Sequence, residues 1–444
     1  MWLLGFSAPV FAQNCAVQAE AIVKLRKPPF GSYNVWDSVY GEIGTDERFK
    51  DGVVMPDGHI LAVGERSTPE SGDRKSLVFV EIGRNGRVKR EVQHDIPAGA
   101  DVVRALARGQ GFLVLANITP VRGRAYIWMG FFDIAGEKLS EKTLKGGKAA
   151  LRAHDIELSR SGKSYILAVS SVLAGGDVPG SSVVYRLNLK GDVVSDRGFV
   201  IGAENAMQDL HVLESGDVLA VGVIDNVVGR KTGWAMRLSE DLRMIWQKPY
   251  PRGAAAEFAK VYPLGEGQAV AVGTALPEGS GNRAGWVMAF DENSGEVVWQ
   301  RYFTGGLHLD GRDVLVNEDR MISVLMDGEV SEGSDEEEHV RLFTLNPRGV
   351  LFNGDAFFNG AGVDAFHFLQ SPHRERVIFG ETRVVHQIQD AEKMAEKAFG
   401  GAAGPDGEGN DGIERVPSRE GWVIAAPRVE SYEDPCKPVQ REFP

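Results

Sequence analysis

The sequence has few of the features that mark a membrane protein, a cysteine-rich domain or a nucleic-acid-binding protein. Its 444 residues include only two cysteines, Cys15 and Cys436, so a disulfide-dense scaffold is not expected. Beyond the N-terminal segment, no stretch has the roughly 18 apolar residues that span a bilayer. The formal charge is -13, whereas nucleic-acid binding depends on clustered Lys and Arg. We therefore expect neither a membrane span nor a nucleic-acid ligand.

The two ends of the chain carry signals of export. The sequence begins MWLLGFSAPVFAQNC, an apolar run that ends in the small-residue pattern of a signal-peptidase site, with cleavage after Ala12. A positively charged start is missing, so the alternative is a hydrophobic first strand. The two cysteines lie at opposite ends, which favours a disulfide between the termini over two unrelated thiols. These features predict a periplasmic or extracellular protein.

A repeat of about fifty residues runs through the chain. The phrases PDGHILAVG (56–64), GQGFLVLAN (109–117), RSGKSYILAV (160–169), ESGDVLAVG (214–222) and GEGQAVAVG (265–273) each join a turn to an apolar strand. Their central glycines are Gly58, Gly111, Gly162, Gly216 and Gly267, with successive differences of 53, 51, 54 and 51 residues. Two weaker copies, at 318–326 and 373–380, have Arg320 and Arg374 in place of the glycine. The sequence thus contains seven copies.

Period-two alternation with Gly and Asp turns predicts four antiparallel strands in each copy. Repeats of this length and strand number are typical of β-propeller blades. The last copy lacks a fourth strand, and the N-terminal segment Trp36 to Tyr40 resembles the missing one. The predicted fold is all-β: a seven-bladed β-propeller of four-stranded antiparallel blades, with the last blade closed by this N-terminal strand.

The predicted organisation is a signal peptide (1–12), a lead-in (13–32), the propeller (33–435) and a C-terminal tail (436–444). An insertion at 383–419 interrupts the last blade. Within it, residues 386–399 have the pattern of a short helix, followed by a Gly-rich tract. The insertion is either functional or a plain surface loop.

Two segments, GWVMAFDENSGEVVWQR (285–301) and GWAMRLSEDLRMIWQ (233–247), resemble the pyrroloquinoline-quinone-like family of propeller repeats. The resemblance implies a propeller and says little about activity. Quinoprotein dehydrogenases of that family hold their quinone and calcium ion partly through adjacent cysteines, which this chain lacks. No cofactor is therefore predicted. Calcium stays unsupported, because the acidic segment 327–339 lacks the ligand spacing of a calcium-binding loop.

Seven ionisable residues stand seven positions before the repeat centres. They are Asp51, Arg104, Asp155, Asp209, Lys260, Asp313 and His367. This offset falls in the first strand of each blade, so we expect the side chains to form a ring around the central channel. The ring is either a binding site for a cation or small polar ligand, or a set of charges that satisfy one another near the axis.

These observations leave two hypotheses for function. The first is an exported, monomeric, non-catalytic binding or scaffold protein that recognises a protein or polysaccharide through its loop face or channel. The second is a hydrolase or lyase with an axial active site lined by the ring. His211 and Asp209 face the same side of one strand, but the sequence places no nucleophile or orienting group beside them. The first hypothesis is therefore favoured.

Overall fold

A computed structural model describes residues 17–25, 31–68, 74–173, 180–225, 230–305, 308–329, 338–359, 362–389 and 413–429. Every regular element in these ranges is a β-strand. Within them there is also no helix long and apolar enough to cross a membrane. The predicted signal peptide, Cys15 and Cys436 lie outside the described residues, so the terminal disulfide stays a prediction.

The strands follow the repeat along the chain. The first eleven are β1 (Glu20–Lys24), β2 (Trp36–Tyr40), β3 (Asp46–Val54), β4 (Ile60–Ser67), β5 (Ser76–Ile82), β6 (Val88–Asp95), β7 (Ala100–Arg108), β8 (Gly111–Ile118), β9 (Tyr126–Asp133), β10 (Lys138–Leu144) and β11 (Ala149–Leu158). The next nine are β12 (Ser164–Leu173), β13 (Ser181–Asn188), β14 (Val193–Phe199), β15 (Glu204–Val212), β16 (Val218–Asp225), β17 (Lys231–Leu238), β18 (Met244–Tyr250), β19 (Ala255–Gly265) and β20 (Gln268–Leu276). The last nine are β21 (Ala284–Asp291), β22 (Val297–Thr304), β23 (His308–Val316), β24 (Ile322–Glu329), β25 (His339–Leu345), β26 (Leu351–Phe357), β27 (Val363–Gln370), β28 (Arg376–Gln389) and β29 (Ile413–Ala426).

The described strands form six sheets, most of them four-stranded antiparallel meanders. Four sheets are β7–β10, β11–β14, β15–β18 and β23–β26, and a fifth is β19–β22 with β1 added. The sixth has eight strands, in the order β27-β28-β29-β3-β4-β5-β6, with β2 also on β29. One parallel bridge, Arg419 to Asp46, links its two halves. The predicted pattern of four antiparallel strands per repeat is thereby confirmed.

The first strand of each repeat lies beside the first strand of the next. Contacts run from β3 to β7, β11, β15, β19, β23 and β27, and β27 returns to contact β3. Apolar side chains fill the spaces between neighbouring sheets, and Trp234, Trp286, Trp299 and Trp422 are at most 1% exposed. The sheets therefore surround an axis, with the first strands innermost.

The N-terminal segment joins the end of the chain as predicted. Strand β2 pairs antiparallel with β29, with Trp36 opposite Ala425 and Tyr40 opposite Gly421. Upstream of it, β1 pairs in parallel with β22, and the Ser32 backbone N–H donates to the Ala356 carbonyl (2.7 Å). The predicted lead-in thus crosses the outer edges of two sheets before β2 reaches β29, an arrangement that the sequence analysis did not anticipate.

The prediction for the insertion was partly wrong. Residues 386–389 continue β28 and pair with 413–416 of β29, so they do not begin a helix. Residues 383–389 and 413–419 of the predicted insertion pair with each other in β28 and β29, and residues 390–412 lie outside the described residues. The helical pattern predicted for 386–399 fails at 386–389 because pairing with a distant strand overrides local helix propensity.

The turns after the first strands confirm most of the repeat centres. Gly58, Gly162, Gly216 and Gly267 have positive φ, and so do Arg320 and Arg374, with φ of 61° and 66°. These two arginines therefore adopt the left-handed conformation for which glycine is usual. In the second repeat the left-handed residue is Gly109, whereas Gly111 already begins β8.

Candidate functional site: an axial ring between two cavities

A β-bulge precedes every one of the seven predicted ring residues. The pairing of the first with the second strand shifts by one residue at this point in all seven repeats, for example between Phe49 and Asp51 and between Met207 and Asp209. A bulge inserts one unpaired residue and re-aims the side chains that follow it. The repeated bulge thus places the seven side chains at one level near the axis.

The structure brings all seven ring residues into one network of charges. Arg104 Nη1 is 3.3 Å from Asp51 Oδ2 and Arg104 Nε is 3.3 Å from Asp155 Oδ1. Lys260 Nζ is 2.6 Å from Asp209 Oδ1 and 3.7 Å from Asp155 Oδ1. His367 lies between the carboxylates of Asp313 and Asp51, at 2.5 and 3.2 Å. Each basic residue of the ring therefore stands between two carboxylates.

Both ring nitrogens of His367 are in contact with charged side chains. Arg104 Nη1 is 2.8 Å from His367 Nε2, and the guanidinium group can only donate. His367 Nδ1 faces Asp313 Oδ2 at 2.5 Å, which is an acceptor. Asp51 Oδ1 also faces His367 Nε2, at 3.2 Å, so charged groups hold the imidazole ring on both sides.

Three ring carboxylates also bind the backbone of the next first strand. Asp51 Oδ2 accepts from the Ala105 N–H (2.8 Å), Asp209 Oδ2 from Val261 (2.8 Å) and Asp313 Oδ2 from Phe368 (3.0 Å). In each case the donor is the residue just after the next ring position. The carboxylates therefore join neighbouring sheets, and their burial, at most 3% exposed, is compensated by hydrogen bonds and charge.

The adjacent carboxylates Asp155 and Asp209 differ in their pKa. Burial and the charge of Asp155 raise the pKa of Asp209 well above its usual range. Burial acts to raise the pKa of Asp155 too, but the charges of Lys260 and Arg104 and a hydrogen bond with Asp209 outweigh it and lower that pKa. The pKa of Asp209 therefore lies above that of Asp155.

The ring separates two cavities along the axis. The first strands begin on the face that carries the connections between second and third strands, which we call the loop face. The opposite face carries the tight turns after the first strands, and we call it the turn face. A cavity of about 240 Å³ lies on the loop side of the ring, and one of about 310 Å³ lies on the turn side. Arg104, Lys260 and His367 line both.

The two cavities have opposite charge. The ionised residues lining the loop-side cavity are Lys50, Arg104, Arg152 and Lys260 against Asp51 and Asp101. Those lining the turn-side cavity are Asp155, Glu157, Asp209 and Asp313 against Arg104 and Lys260. Cations therefore predominate on the loop side and carboxylates on the turn side.

The turn-side cavity contains a partner for His211 that the sequence analysis missed. His211 Nδ1 lies 3.0 Å from Glu157 Oε1, on the neighbouring first strand. Glu157 stands two positions after ring residue Asp155, as His211 stands two positions after Asp209. The alignment of repeats therefore held the signal that would have found it.

The ring carboxylates are not gathered as a compact set of metal ligands. Among the described residues, one group of carboxylate and histidine atoms lies within 4.8 Å of one another, formed by Asp57, His59 and Glu81. It sits outside the channel, and Lys89 Nζ is 2.6 Å from His59 Nε2, where an ammonium group would compete with a metal ion.

Sheets of four antiparallel strands whose first strands close a circle around an axis define a β-propeller. Comparison with known proteins does not identify a family for this chain. No family model matches the sequence, including that of the pyrroloquinoline-quinone-like repeats, and no curated protein is significantly similar to it.

Several solved structures of low sequence identity resemble the chain. One is a periplasmic gluconolactonase from Pseudomonas aeruginosa, with 15% identity and a TM-score of 0.49, covering 79% of this chain and 95% of that one. Another is puromycin hydrolase, with 13% identity and a TM-score of 0.44, covering 80% of this chain and 52% of that one. A third is the β-propeller domain of the Trilobed protease from Pyrococcus furiosus, with 10% identity and a TM-score of 0.38, covering 63% of this chain and 79% of that one. At these values the likeness carries no information on activity.

Proposed function

We propose that the protein is an exported, seven-bladed β-propeller whose loop face is a non-catalytic recognition surface for a protein or polysaccharide. The count of seven is supported by the circle of first strands and by the single bridge that divides the eight-stranded sheet. Export is supported by the N-terminal apolar run and its cleavage pattern. Recognition rests on the loop-side cavity.

The excess of cations in the loop-side cavity carries the proposal. The Arg152 side chain is 68% exposed there, and Lys50 Nζ stands 4.1 Å from the centre of the Phe366 ring. Asp101 is 3.6 Å from Lys50 and 3.9 Å from Arg152, so it neutralises part of their charge. In a chain of charge -13, such a local excess favours an acidic group of the partner. A uronic-acid polysaccharide or an acidic protein segment has this chemistry.

The hairpin of β28 and β29 supports recognition on the same face. These two strands, with 14 residues each, are longer than any other described strand. They pair continuously from Arg376 with Ala426 to Gln389 with Ile413. Second strands end and third strands begin on the loop face, so the paired ends of the hairpin, Gln389 and Ile413, lie there.

The ring itself is a weaker candidate for a hydrolase or lyase site. Arg104 and Lys260 are each paired with two carboxylates. Asp51, Asp209 and Asp313 are also bound to backbone N–H groups. A catalytic acid or base needs access to its substrate and freedom to exchange a proton, and these contacts occupy the ring.

Calorimetric titration with polygalacturonate and with uncharged dextran tests the cationic cavity. We expect binding of polygalacturonate and at least a tenfold loss of affinity in the double variant Lys50→Gln/Arg152→Gln, because each charge-assisted contact contributes about 1.5–3 kcal/mol. The matched control is Lys190→Gln/Arg197→Gln, which removes two exposed cations on the outside of the third repeat. Unchanged affinity in the first double variant would contradict the proposal.

A second experiment tests the contribution of residues 390–412 to binding. Replacing residues 390–412 by Asn-Gly should close the hairpin directly, because Gln389 and Ile413 are paired and a two-residue turn can join such a pair. We expect an unchanged melting temperature and loss of partner binding. Full binding by this folded variant would remove the loop from the recognition surface.

A further inference from the structure

A second layer of side chains lies beneath the ring on the turn side. Residues two positions along a strand face the same side, so each ring residue has a counterpart two positions later. The seven counterparts are Val53, Leu106, Glu157, His211, Tyr262, Leu315 and Leu369. Four are aliphatic, whereas the polar three stand on the consecutive strands β11, β15 and β19. Glu157, His211 and Tyr262, which we call the polar triplet, all line the turn-side cavity.

Glu157 fixes the orientation of His211. Glu157 Oε1 is 3.0 Å from His211 Nδ1, and Glu157 Oε2 accepts from the Val212 backbone N–H (2.8 Å). The carboxylate is thus held by the strand that carries the histidine. A carboxylate beside Nδ1 keeps the proton on that nitrogen and leaves the lone pair on Nε2. The His211 side chain is 21% exposed, so it is open to the cavity.

The polar triplet stands where two cavities meet. The turn-side cavity of about 310 Å³ and a neighbouring cavity of about 550 Å³, which we call the side cavity, share His211 and Tyr262 in their linings. The side cavity is further lined by Arg237, Asn317 and Arg320. A ligand that extends from one cavity into the other therefore passes the imidazole ring.

The charges around both cavities favour an uncharged or cationic ligand. Carboxylates outnumber cations in the turn-side cavity, and in the side cavity Glu214, Glu266 and Glu292 stand against Arg237 and Arg320. An anionic ligand would meet net repulsion on both sides of His211. The turn face therefore differs in preference from the loop face.

Tyr262 supplies a hydrogen-bond donor beside the histidine. Its ring centre is 4.8 Å from that of His211. Burial raises the pKa of Tyr262, as do the charges of Glu157 and Asp313, so the phenol stays protonated at neutral pH. A protonated phenol can donate to an oxygen that gains negative charge.

We propose that His211, oriented by Glu157, is a general base that activates water to hydrolyse an uncharged or cationic carboxylic ester bound across the turn-side and side cavities. His211 Nε2 takes a proton from water as the water oxygen bonds to the ester carbonyl carbon, and the carbonyl π electrons move to its oxygen. Tyr262 donates to this oxyanion. The carbonyl then re-forms, the bond to the alcohol oxygen breaks, and that oxygen takes the proton from His211 Nε2. The products are a carboxylic acid and an alcohol. This activity goes beyond the recognition proposed for the loop face and uses none of its residues.

Hydrolysis of three ester probes by the full chain tests the assignment. They are uncharged 4-nitrophenyl acetate, cationic acetylcholine and anionic 4-nitrophenyl hemisuccinate. We expect saturable turnover of one or both of the first two and slower turnover of the third. His211→Gln should lower kcat/KM at least 100-fold, the usual contribution of a general base. The control is His373→Gln, which changes an exposed turn histidine and should keep full activity.

The pH profile separates a positioning role of Glu157 from a structural one. Glu157 on β11 and Tyr262 on β19 contact His211 directly. The other titratable and charged groups that line a cavity together with His211 are Arg104, Asp155, Asp209, Lys260, Asp313 and His367 on the turn side, and Glu214, Arg237, Glu266, Glu292 and Arg320 in the side cavity. Glu157→Gln removes a negative charge 3.0 Å from His211 Nδ1, and this charge favours the protonated imidazole. The acidic limb of kcat/KM should therefore move to lower pH, together with a loss of rate of about tenfold or more.

Chemical modification of the histidines in the unaltered protein tests the role of His211 even if the His211→Gln variant does not fold. Diethyl pyrocarbonate should inactivate the protein in step with modification of His211, as located by peptide mass spectrometry. Three outcomes would overturn the assignment: no saturable turnover of any probe, full activity in folded His211→Gln, or full activity after complete modification of His211.

Discussion

At the scale of single residues, the ring shows how charges persist in a protein interior. Asp51, Asp209 and Asp313 are nearly inaccessible, and each accepts a backbone hydrogen bond from the next first strand. Each also lies close to Arg104, Lys260 or His367. A buried charge without such partners would cost several kcal/mol. The ring therefore helps to connect neighbouring sheets as well as lining the channel.

Lys260 is the residue where this pairing is most easily tested. Lys260→Met keeps the length of the side chain but leaves Asp155 and Asp209 without their shared cation. We expect a loss of about 3–5 kcal/mol in the free energy of unfolding, because a buried partner charge is left uncompensated. Urea unfolding followed by tryptophan fluorescence measures it.

The double variant Lys260→Met/Asp209→Asn is compared with Lys260→Met in the same unfolding experiment. The pKa of Asp209 is already raised, so a neutral side chain at this position should restore part of the lost stability. A loss below 1 kcal/mol in Lys260→Met, or no recovery in the double variant, would show that the ion pair is not a structural element.

At the scale of elements, the strands and their turns were largely predictable. Alternation and turn residues are local properties, and they indicated four strands in each repeat. Positive φ at Arg320 and Arg374 supports treating these residues as degenerate repeat centres. By contrast, β1 and the extension of β28 to Gln389 are defined by pairing with distant strands, so no local pattern predicted them.

Two glycine variants test the packing of the turn between β5 and β6 against Trp36. Gly86 has φ of 76°, and a Cβ placed there would lie 2.9 Å from a ring carbon of Trp36. Gly44 has φ of 82°, but a Cβ there would meet nothing within 4 Å. Gly44→Ala should cost about 1–2 kcal/mol from backbone strain alone, and Gly86→Ala about 1–3 kcal/mol more from overpacking. Urea unfolding of both variants gives the difference, and equal losses would mean that the turn does not press on Trp36.

At the scale of the whole molecule, the chain closes on itself through β2. The pairing of Trp36–Tyr40 with β29 joins segments more than 380 residues apart and covers an edge that would otherwise be free to pair with another chain. The two cysteines at the chain ends could add a covalent link. They lie outside the described residues, and a mass shift on reduction and alkylation would detect it.

Removing the closing strand should expose this edge. We expect a chain that starts at residue 42 to be less stable and to associate into dimers or larger species, because β29 then lacks its partner. Size-exclusion chromatography with light scattering reports the mass, and urea unfolding reports the stability.

A chain that starts at residue 33 is the control, since it loses β1 but keeps β2. It should remain monomeric. A peptide of residues 33–42 added to the shorter chain should restore the monomer. If both truncated chains behave alike, pairing of β2 with β29 is not what closes the molecule.

The sequence alone determined the repeat, the all-β class, the closing strand and the seven ring positions, because alternation, turn chemistry and a constant offset are written locally in each repeat. It left the role of the ring open between binding and mutual pairing. Only the tertiary structure decided that bulges aim the ring side chains inward, that two cavities of opposite charge flank them, and that Glu157 meets His211. The bulges arise from the pairing of first and second strands within one sheet. The cavity charges and the Glu157–His211 contact depend on residues about fifty positions apart on different sheets, and neither kind of contact has a signature within one strand.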